Sequence, residues 1–541
     1  MLLLTGAKIR GAQVEAIAVE NGRIAAVGAP EDLRSRARGD VREIDVGGRR
    51  VVPGLIDGHA HVLRAGITWD REVHWDRVAS LEEAIGLLRE RAEQLAPGSW
   101  VPVIGGWHPG QFREGRGPTR EELDAALPDH PCYVQLLYDE AVLNSAALQA
   151  AGITAAAGDP PGGEIDRDAD GRPTGVIRGI GAFRQCLTAM GMPTLDAQLA
   201  SFRSMLRSLA AYGLTGALDP GGIGVTPETY EPIYELWRRG ELSLRTRLFL
   251  GAGQPGNERR DLADWMRFMP RDFGDDVLRI TGIGEIIVFG CWDRDGLTPL
   301  EMDAADLDEF REISAMAAAG GWPMHVHAIR DSSASAILDC WEQVAERYPI
   351  RPLRFSFTHG ETITEGTMQR AKALGVGIAL QHRMLYNAKI STRAWGEAVG
   401  SNAPPMRRLM ELGFPLSAGT DASVVASADP WLTLWWFVTG QTIDGGPRRR
   451  PDNLPTRAQA LQWYTRGSAW FSSEESTRGE LAPGFLADIA VLSDDYFDVP
   501  PDEIPGIRSE LTLVGGRVVH AANSFAGATA LAGVAGTGLE G

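Results

Sequence analysis

Val51-Val52-Pro53-Gly54-Leu55-Ile56-Asp57-Gly58-His59-Ala60-His61 ends a short apolar strand run with two histidines one residue apart. Residues two apart in an extended chain point to the same side, so His59 and His61 put two imidazoles on one face, half of a metal site. Seven further runs of this character follow, at 214–219, 244–252, 278–289, 323–328, 353–359, 376–381 and 414–421. With the first, at 49–57, they make eight, separated by longer helical patterns. Alternating strands and helices build a parallel sheet. Eight such units point to an α/β chain folded as a (β/α)8 TIM-like barrel rather than an open doubly wound sheet.

Three of the runs end on metal-binding residue types: His327 closes PMHVHA but for one alanine, His359 closes LRFSFTH and Asp421 closes FPLSAGTD. In a barrel the C-terminal strand ends converge on the active site. The chain has only 10 histidines, so four of them at converging strand ends beside an aspartate form a set that packing or solvation alone does not explain. Such a nitrogen-rich, carboxylate-completed set suits Zn²⁺, and Mn²⁺, Fe²⁺ or Co²⁺ would accept the same donors. His325 competes with His327, because the two alternate onto one face. His327 is preferred as the residue nearer the strand end, with His325 packed or supporting a ligand.

Composition narrows the classes further. The 541 residues carry 53 Lys and Arg against 71 Asp and Glu, a net charge of −18 that repels nucleic-acid phosphates and anionic lipid. Neither a nucleic acid nor a membrane is an expected partner. The four cysteines are scattered without a C-x-x-C pair, the start MLLLTGAKIRG lacks a basic n-region, and no apolar run approaches a membrane span. A cytoplasmic protein acting on a small molecule is expected, with a homodimer left open.

Strand-like segments at both ends, around Asn21-Gly22 and at 487–495 and 511–521, suggest a composite β-sandwich from 1–54 and 471–525 around a barrel at 55–470. About 150 residues separate the first barrel strand from the second, so an insertion subdomain at 65–205 is expected over the catalytic face. Its Ser80-x-x-Glu83 capping box precedes a helical pattern. An Ala/Gly-rich tail occupies 526–541.

Pro53 to His61 resembles the first-strand signature of the amidohydrolase superfamily. Asn144-Ser145-Ala146-Ala147-Leu148, Gly163-Glu164-Ile165, Gly171-Arg172-Pro173-Thr174-Gly175, His327-Ala328-Ile329-Arg330-Asp331, Gln381, Gly419-Thr420-Asp421 and Leu486-Ala487-Asp488 are similar to its YtcJ-like branch. The resemblance implies a barrel with a β-sandwich and a centre of one or two metal ions. Many members bridge two metals with a carbamylated lysine on the fourth strand. None of Lys8, Lys372 and Lys389 lies near 278–289, and Glu285 stands there as the implied bridge. The implied ligands are His59, His61, Glu285 and Asp421 for one ion, and Glu285, His327 and His359 for the second.

By the same resemblance, metal-activated hydroxide would cleave an amide-type C–N bond, linear or cyclic, in an N-acyl or N-formyl compound. Asp421 would carry the proton from the attacking water to the leaving nitrogen. Arg330 replaces a common glycine, and Asp139 or Glu140 a common histidine; these, with Trp107, His108 and Gln381, are the candidate substrate contacts. Deamination, ester hydrolysis, or decarboxylation and isomerisation on the same site are the alternatives, and a catalytically inactive binding protein is the rival of another class. G-x-S-x-G and Walker A motifs are absent from the sequence.

Overall fold

The computed structural model describes residues 1–9, 13–36 and 40–528. Of the expected Ala/Gly-rich tail, residues 529–541 lie outside the described residues. Eight parallel strands form one sheet in sequence order: β1 (Leu55–Asp57), β2 (Leu214–Asp219), β3 (Arg245–Leu250), β4 (Leu278–Glu285), β5 (Met324–Ala328), β6 (Ser356–His359), β7 (Gly377–Gln381) and β8 (Leu416–Gly419). The sheet curls until its ends meet, and the Gly58 N–H donates to the Ala418 carbonyl at 2.8 Å. The result is a nearly closed barrel, as the eight runs predict. Its strands are buried on both faces, which explains why they read as continuous apolar runs rather than alternating ones.

The helices after each strand bury one face on this sheet. Phe310, Ile313 and Ala317 of helix Ala304–Gly320 share one core with Ile337, Leu338 and Trp341 of helix Asp331–Ala345. Among the described residues no helix is long and apolar enough to cross a membrane, and all four cysteines are buried and unbridged.

Two four-stranded sheets come from the chain ends. One orders Arg23–Gly28, Val14–Glu20, Leu2–Lys8 and Arg42–Asp45; the other orders Arg517–Ala521, Ser509–Val514, Ile489–Leu492 and Val51–Pro53. Leu4, Ile17, Val491 and Leu513 are among the side chains of their common core. The first sequence run is therefore divided: Val51–Pro53 joins an end sheet and Leu55–Asp57 joins the barrel. Gly54 sits at the division, where a Cβ would stand 2.2 Å from Thr215 Cγ2.

Charged pairs lock the N-terminal end of the barrel to the segment that leads into the end sheets. Arg245 of β3 pairs with Asp488, and Arg247 pairs with Glu474, each through two hydrogen bonds of 2.8–3.1 Å. Arg478 adds a bond to Glu474 at 3.0 Å.

Between β1 and β2 the chain forms a five-stranded sheet, Glu164–Arg167, Pro173–Arg178, Glu140–Leu143, Cys132–Leu136 and Val101–Ile104. Asn144 ties it together: its side-chain oxygen accepts from the Cys132 and Ala147 N–H groups while its amide donates to the Leu127 and His130 carbonyls. The Ser80 hydroxyl caps helix Leu81–Glu93, as its sequence predicts, with Glu83 accepting from the Ala79 N–H instead of from Ser80. The turn between Cys132–Leu136 and Glu140–Leu143 carries Leu137, Tyr138 and Asp139 to the cavity at the C-terminal ends of the barrel strands.

Candidate active site

His59 and His61 follow β1, Glu285 ends β4, His327 lies one residue from the end of β5, His359 ends β6 and Asp421 follows β8. All six are nearly or wholly buried, and the barrel brings them together around the Glu285 carboxylate. Glu285 Oε1 lies 3.5 Å from His61 Nε2, while Oε2 lies 3.6 Å from His59 Nε2, 3.5 Å from His327 Nδ1 and 4.0 Å from His359 Nε2. Asp421 Oδ1 stands 3.5 Å from His59 Nε2 and 3.2 Å from His61 Nε2. Two groups of donors lie close enough to share an ion: His59, His61 and Asp421, and His59, Glu285 and His359. His327 Nδ1 is 3.1 Å from His359 Nε2 and adjoins the second.

Hydrogen bonds behind the imidazoles decide which nitrogen faces inward. The Ser356 hydroxyl donates to the Met324 carbonyl at 3.1 Å and so accepts from His325 Nδ1 at 2.8 Å. His325 Nε2 is then bare and accepts from His59 Nδ1 at 3.2 Å, leaving the His59 Nε2 lone pair directed at the two carboxylates. Burial, helped by the neighbouring His59, pushes the His325 pKa down to about 3 and keeps it neutral. His61 Nδ1 donates to the Gly221 carbonyl at 2.9 Å, which again turns Nε2 inward. This approach needs Gly222 at φ +110°, where a Cβ would stand 3.0 Å from the His61 ring. His327 Nε2 lies 3.0 Å from Asp293 Oδ1, whose carboxylate also accepts from the Ile329 and Arg330 N–H groups.

The buried Asp57 holds the two ligand-bearing loops against each other. It accepts from the His59 N–H at 3.0 Å and from the Thr420 hydroxyl at 2.7 Å. Burial raises its pKa to about 6, those hydrogen bonds acting against the rise. The Asp421 N–H in turn donates to the His59 carbonyl at 2.9 Å, fixing Asp421 at φ +60°.

The electrostatics call for positive charge. Burial disfavours the Glu285 and Asp421 carboxylates, yet the surrounding imidazoles outweigh it and hold both well below the usual carboxylate range. Burial likewise opposes a charged His327, but Asp293 and Glu285 push its pKa up to about 10. His59 Nε2 and Glu285 Oε2 are buried without a hydrogen-bond partner. An unpaired, inward-facing His59 nitrogen among further imidazoles and ionised carboxylates fits a divalent cation of the zinc type.

A cavity open to solvent lies above these residues. Asp139 lines it, together with Arg64, Tyr138, Trp292, Arg383 and Asn387. None of the other expected substrate contacts lines the cavity. Trp107 is buried against Trp75 and Phe112 and donates to the Gln135 carbonyl. His108 Nδ1 caps a turn by accepting from the Gly110 N–H, and Glu140 pairs with Arg178 at 3.0 Å. Arg330 donates to the Gly296 carbonyl at 2.9 Å, and Gln381 is buried at the end of β7. Arg64 and Asp293 were missed by the sequence reading. Arg64 stands one turn beyond His61, a signal the sequence holds; Asp293 reaches His327 from a loop after β4 with no periodic pattern to mark it.

Comparison with known proteins agrees with this geometry. The family model described as "Amidohydrolase family" matches residues 42–520. The chain is 27% identical to the N-substituted formamide deformylase of Arthrobacter pascens, covering 94% of this chain and 95% of that one. It is 25% identical to the putative amidohydrolase YtcJ of Bacillus subtilis (strain 168), covering 94% and 96%. An uncharacterized metal-dependent hydrolase from Pyrococcus horikoshii ot3 superposes with a TM-score of 0.67 at 21% identity, over 93% of this chain and 99% of that chain.

Proposed function

The chain belongs to the amidohydrolase family, and from that membership we propose that this metal-dependent hydrolase of C–N bonds cleaves an amide-type bond, linear or cyclic, in a small N-acyl or N-formyl compound. The observation that carries the reading is the division of Glu285, one carboxylate oxygen facing His61 and the other facing His59, His327 and His359. Those residues and Asp421 would hold one or two divalent cations, zinc foremost. A cation held there supplies a water acidified to a pKa of about 7 and polarises the substrate carbonyl.

The remaining work falls to the protein. His325, Gly221 and Asp293 orient His59, His61 and His327, so their inward nitrogens are in place before substrate arrives. Asp421 is ionised and therefore able to take a proton from the attacking water and return it to the leaving nitrogen. The apolar walls from Leu137, Ile223, Trp292 and Val425 would seat the substrate's hydrocarbon part. The relative that deformylates N-substituted formamides makes formamides the first compounds to try.

The experiment is a panel of N-substituted formamides, N-acyl amino acids, cyclic ureides, carboxylic esters and ring amines, assayed with the zinc-loaded protein. Hydrolysis of amide-type members ahead of esters and ring amines is expected. Turnover confined to esters or ring amines would overturn the reading.

A further inference from the structure

Several buried arginine side chains in this chain hold a carboxylate by one particular edge. Arg50 meets Asp495 through Nε at 2.9 Å and Nη2 at 2.7 Å. Arg245 meets Asp488 through Nε at 2.8 Å and Nη2 at 3.1 Å, and Arg247 meets Glu474 through the same two nitrogens, both at 2.8 Å. The two N–H groups on that edge are parallel and match the two oxygens of a planar carboxylate.

Arg64 has this edge buried and vacant. Its Nη1 donates to the Tyr138 hydroxyl at 3.1 Å, while Nε and Nη2 are buried without a hydrogen-bond partner. An unpaired buried guanidinium edge is costly. Burial works against its charge, yet Tyr138, Asp421 and Glu285 outweigh it and keep Arg64 protonated. The side chain lines the cavity one helical turn beyond His61, in the same enclosure as Glu285 and Asp421. Tyr138 comes from the insertion, so the edge is held between the barrel and the subdomain that covers it.

We infer that Arg64 is a substrate-recognition residue whose free Nε and Nη2 edge takes a carboxylate of the substrate, so that the compounds cleaved are N-acyl or N-formyl amino acids rather than neutral amides. This rests on the C–N hydrolase reading and narrows its substrate class. Arg330, the arginine that the sequence offers as a substrate contact, donates Nη1 to the Gly296 carbonyl and does not line the cavity. The apolar wall of Leu137, Ile223, Trp292, Leu297 and Val425 suits the aliphatic or aromatic side chain of such an amino acid.

The test compares N-formyl-leucine with N-formyl-leucinamide, which differ only in the carboxylate. Dissociation constants are measured by calorimetry on the zinc-loaded Asp421→Asn protein, where turnover is slowed about a hundred- to ten-thousandfold, and again with Arg64→Met or Arg64→Lys added. The carboxylate should bind about ten- to a hundredfold more tightly than the amide. Arg64→Met should erase that preference while leaving the amide's affinity within roughly twofold, and Arg64→Lys should keep part of it, because a point charge remains without the fork. Equal affinities, binding of neither probe, or a preference that survives Arg64→Met would overturn the assignment; in the last case the carboxylate is held by the metal or another cation. Hydrolysis of neutral amides alone would defeat this inference and spare the C–N hydrolase reading. Carboxylate-selective binding lost in Arg64→Met, with no amide of any kind hydrolysed, would defeat the amide-hydrolase reading and the substrate class with it, and leave only Arg64's carboxylate contact standing.

Discussion

Asp421→Asn is expected to lower kcat by about a hundred- to ten-thousandfold, the usual contribution of a positioned proton shuttle, while the protein keeps most of its metal. Asparagine retains a side-chain oxygen to face His59 and His61 but cannot carry the proton. The backbone should tolerate the change. Asp421 sits at φ +60°, a conformation asparagine adopts readily, and its N–H remains bonded to the His59 carbonyl. Below it, Asp57 still clamps Thr420. The measurement is kcat on any amide the wild type turns over, beside metal per chain for both proteins. An unchanged kcat would remove Asp421 from the chemistry, and a lost kcat with lost metal would make it a ligand first.

Glu474→Ala carries the largest expected effect on stability, about 3–5 kcal/mol, since removing one partner of a buried ion pair leaves the other uncompensated. Glu474 is the common partner of Arg247 and Arg478, both fully buried, and it also accepts from the Ser472 hydroxyl at 2.8 Å. Burial opposes its charge, but the two arginines hold its pKa far below the ordinary carboxylate range. The cluster ties β3 to the segment entering the end sheets, so the loss should lower the midpoint of urea unfolding for the barrel and those sheets together. A destabilisation under about 1 kcal/mol, the worth of an exposed pair, would contradict this account.

The barrel was legible because each of its strands is a short apolar run and several end on a metal-binding residue type, so that one signal gave the fold and five of the six central residues, while Glu285, inside its run, came only from the family resemblance. The division of the first run at Gly54 was not, since Val51–Pro53 and Leu55–Asp57 look alike in sequence while belonging to different sheets. His325 and His327 were separable by their distance from the strand end. The finding that His325 sets the tautomer of His59 depends on Ser356, which comes from the neighbouring strand. Substrate contacts were the least legible. Arg330 and Arg64 both follow metal-binding histidines, and only the packed structure shows that one is spent on a loop carbonyl and the other lacks a partner for its edge. Trp107 likewise turned inward to Trp75 and Phe112, because a large apolar ring gains more from a dry core than from a wet cavity.

If the two oxygens of Glu285 organise the cation centre, metal per chain should differ between purified wild type and Glu285→Ala. About two divalent ions are expected in the wild type, as in other two-metal sites, falling to one or fewer in the variant. The same count in both proteins, or no metal in either, would contradict that expectation.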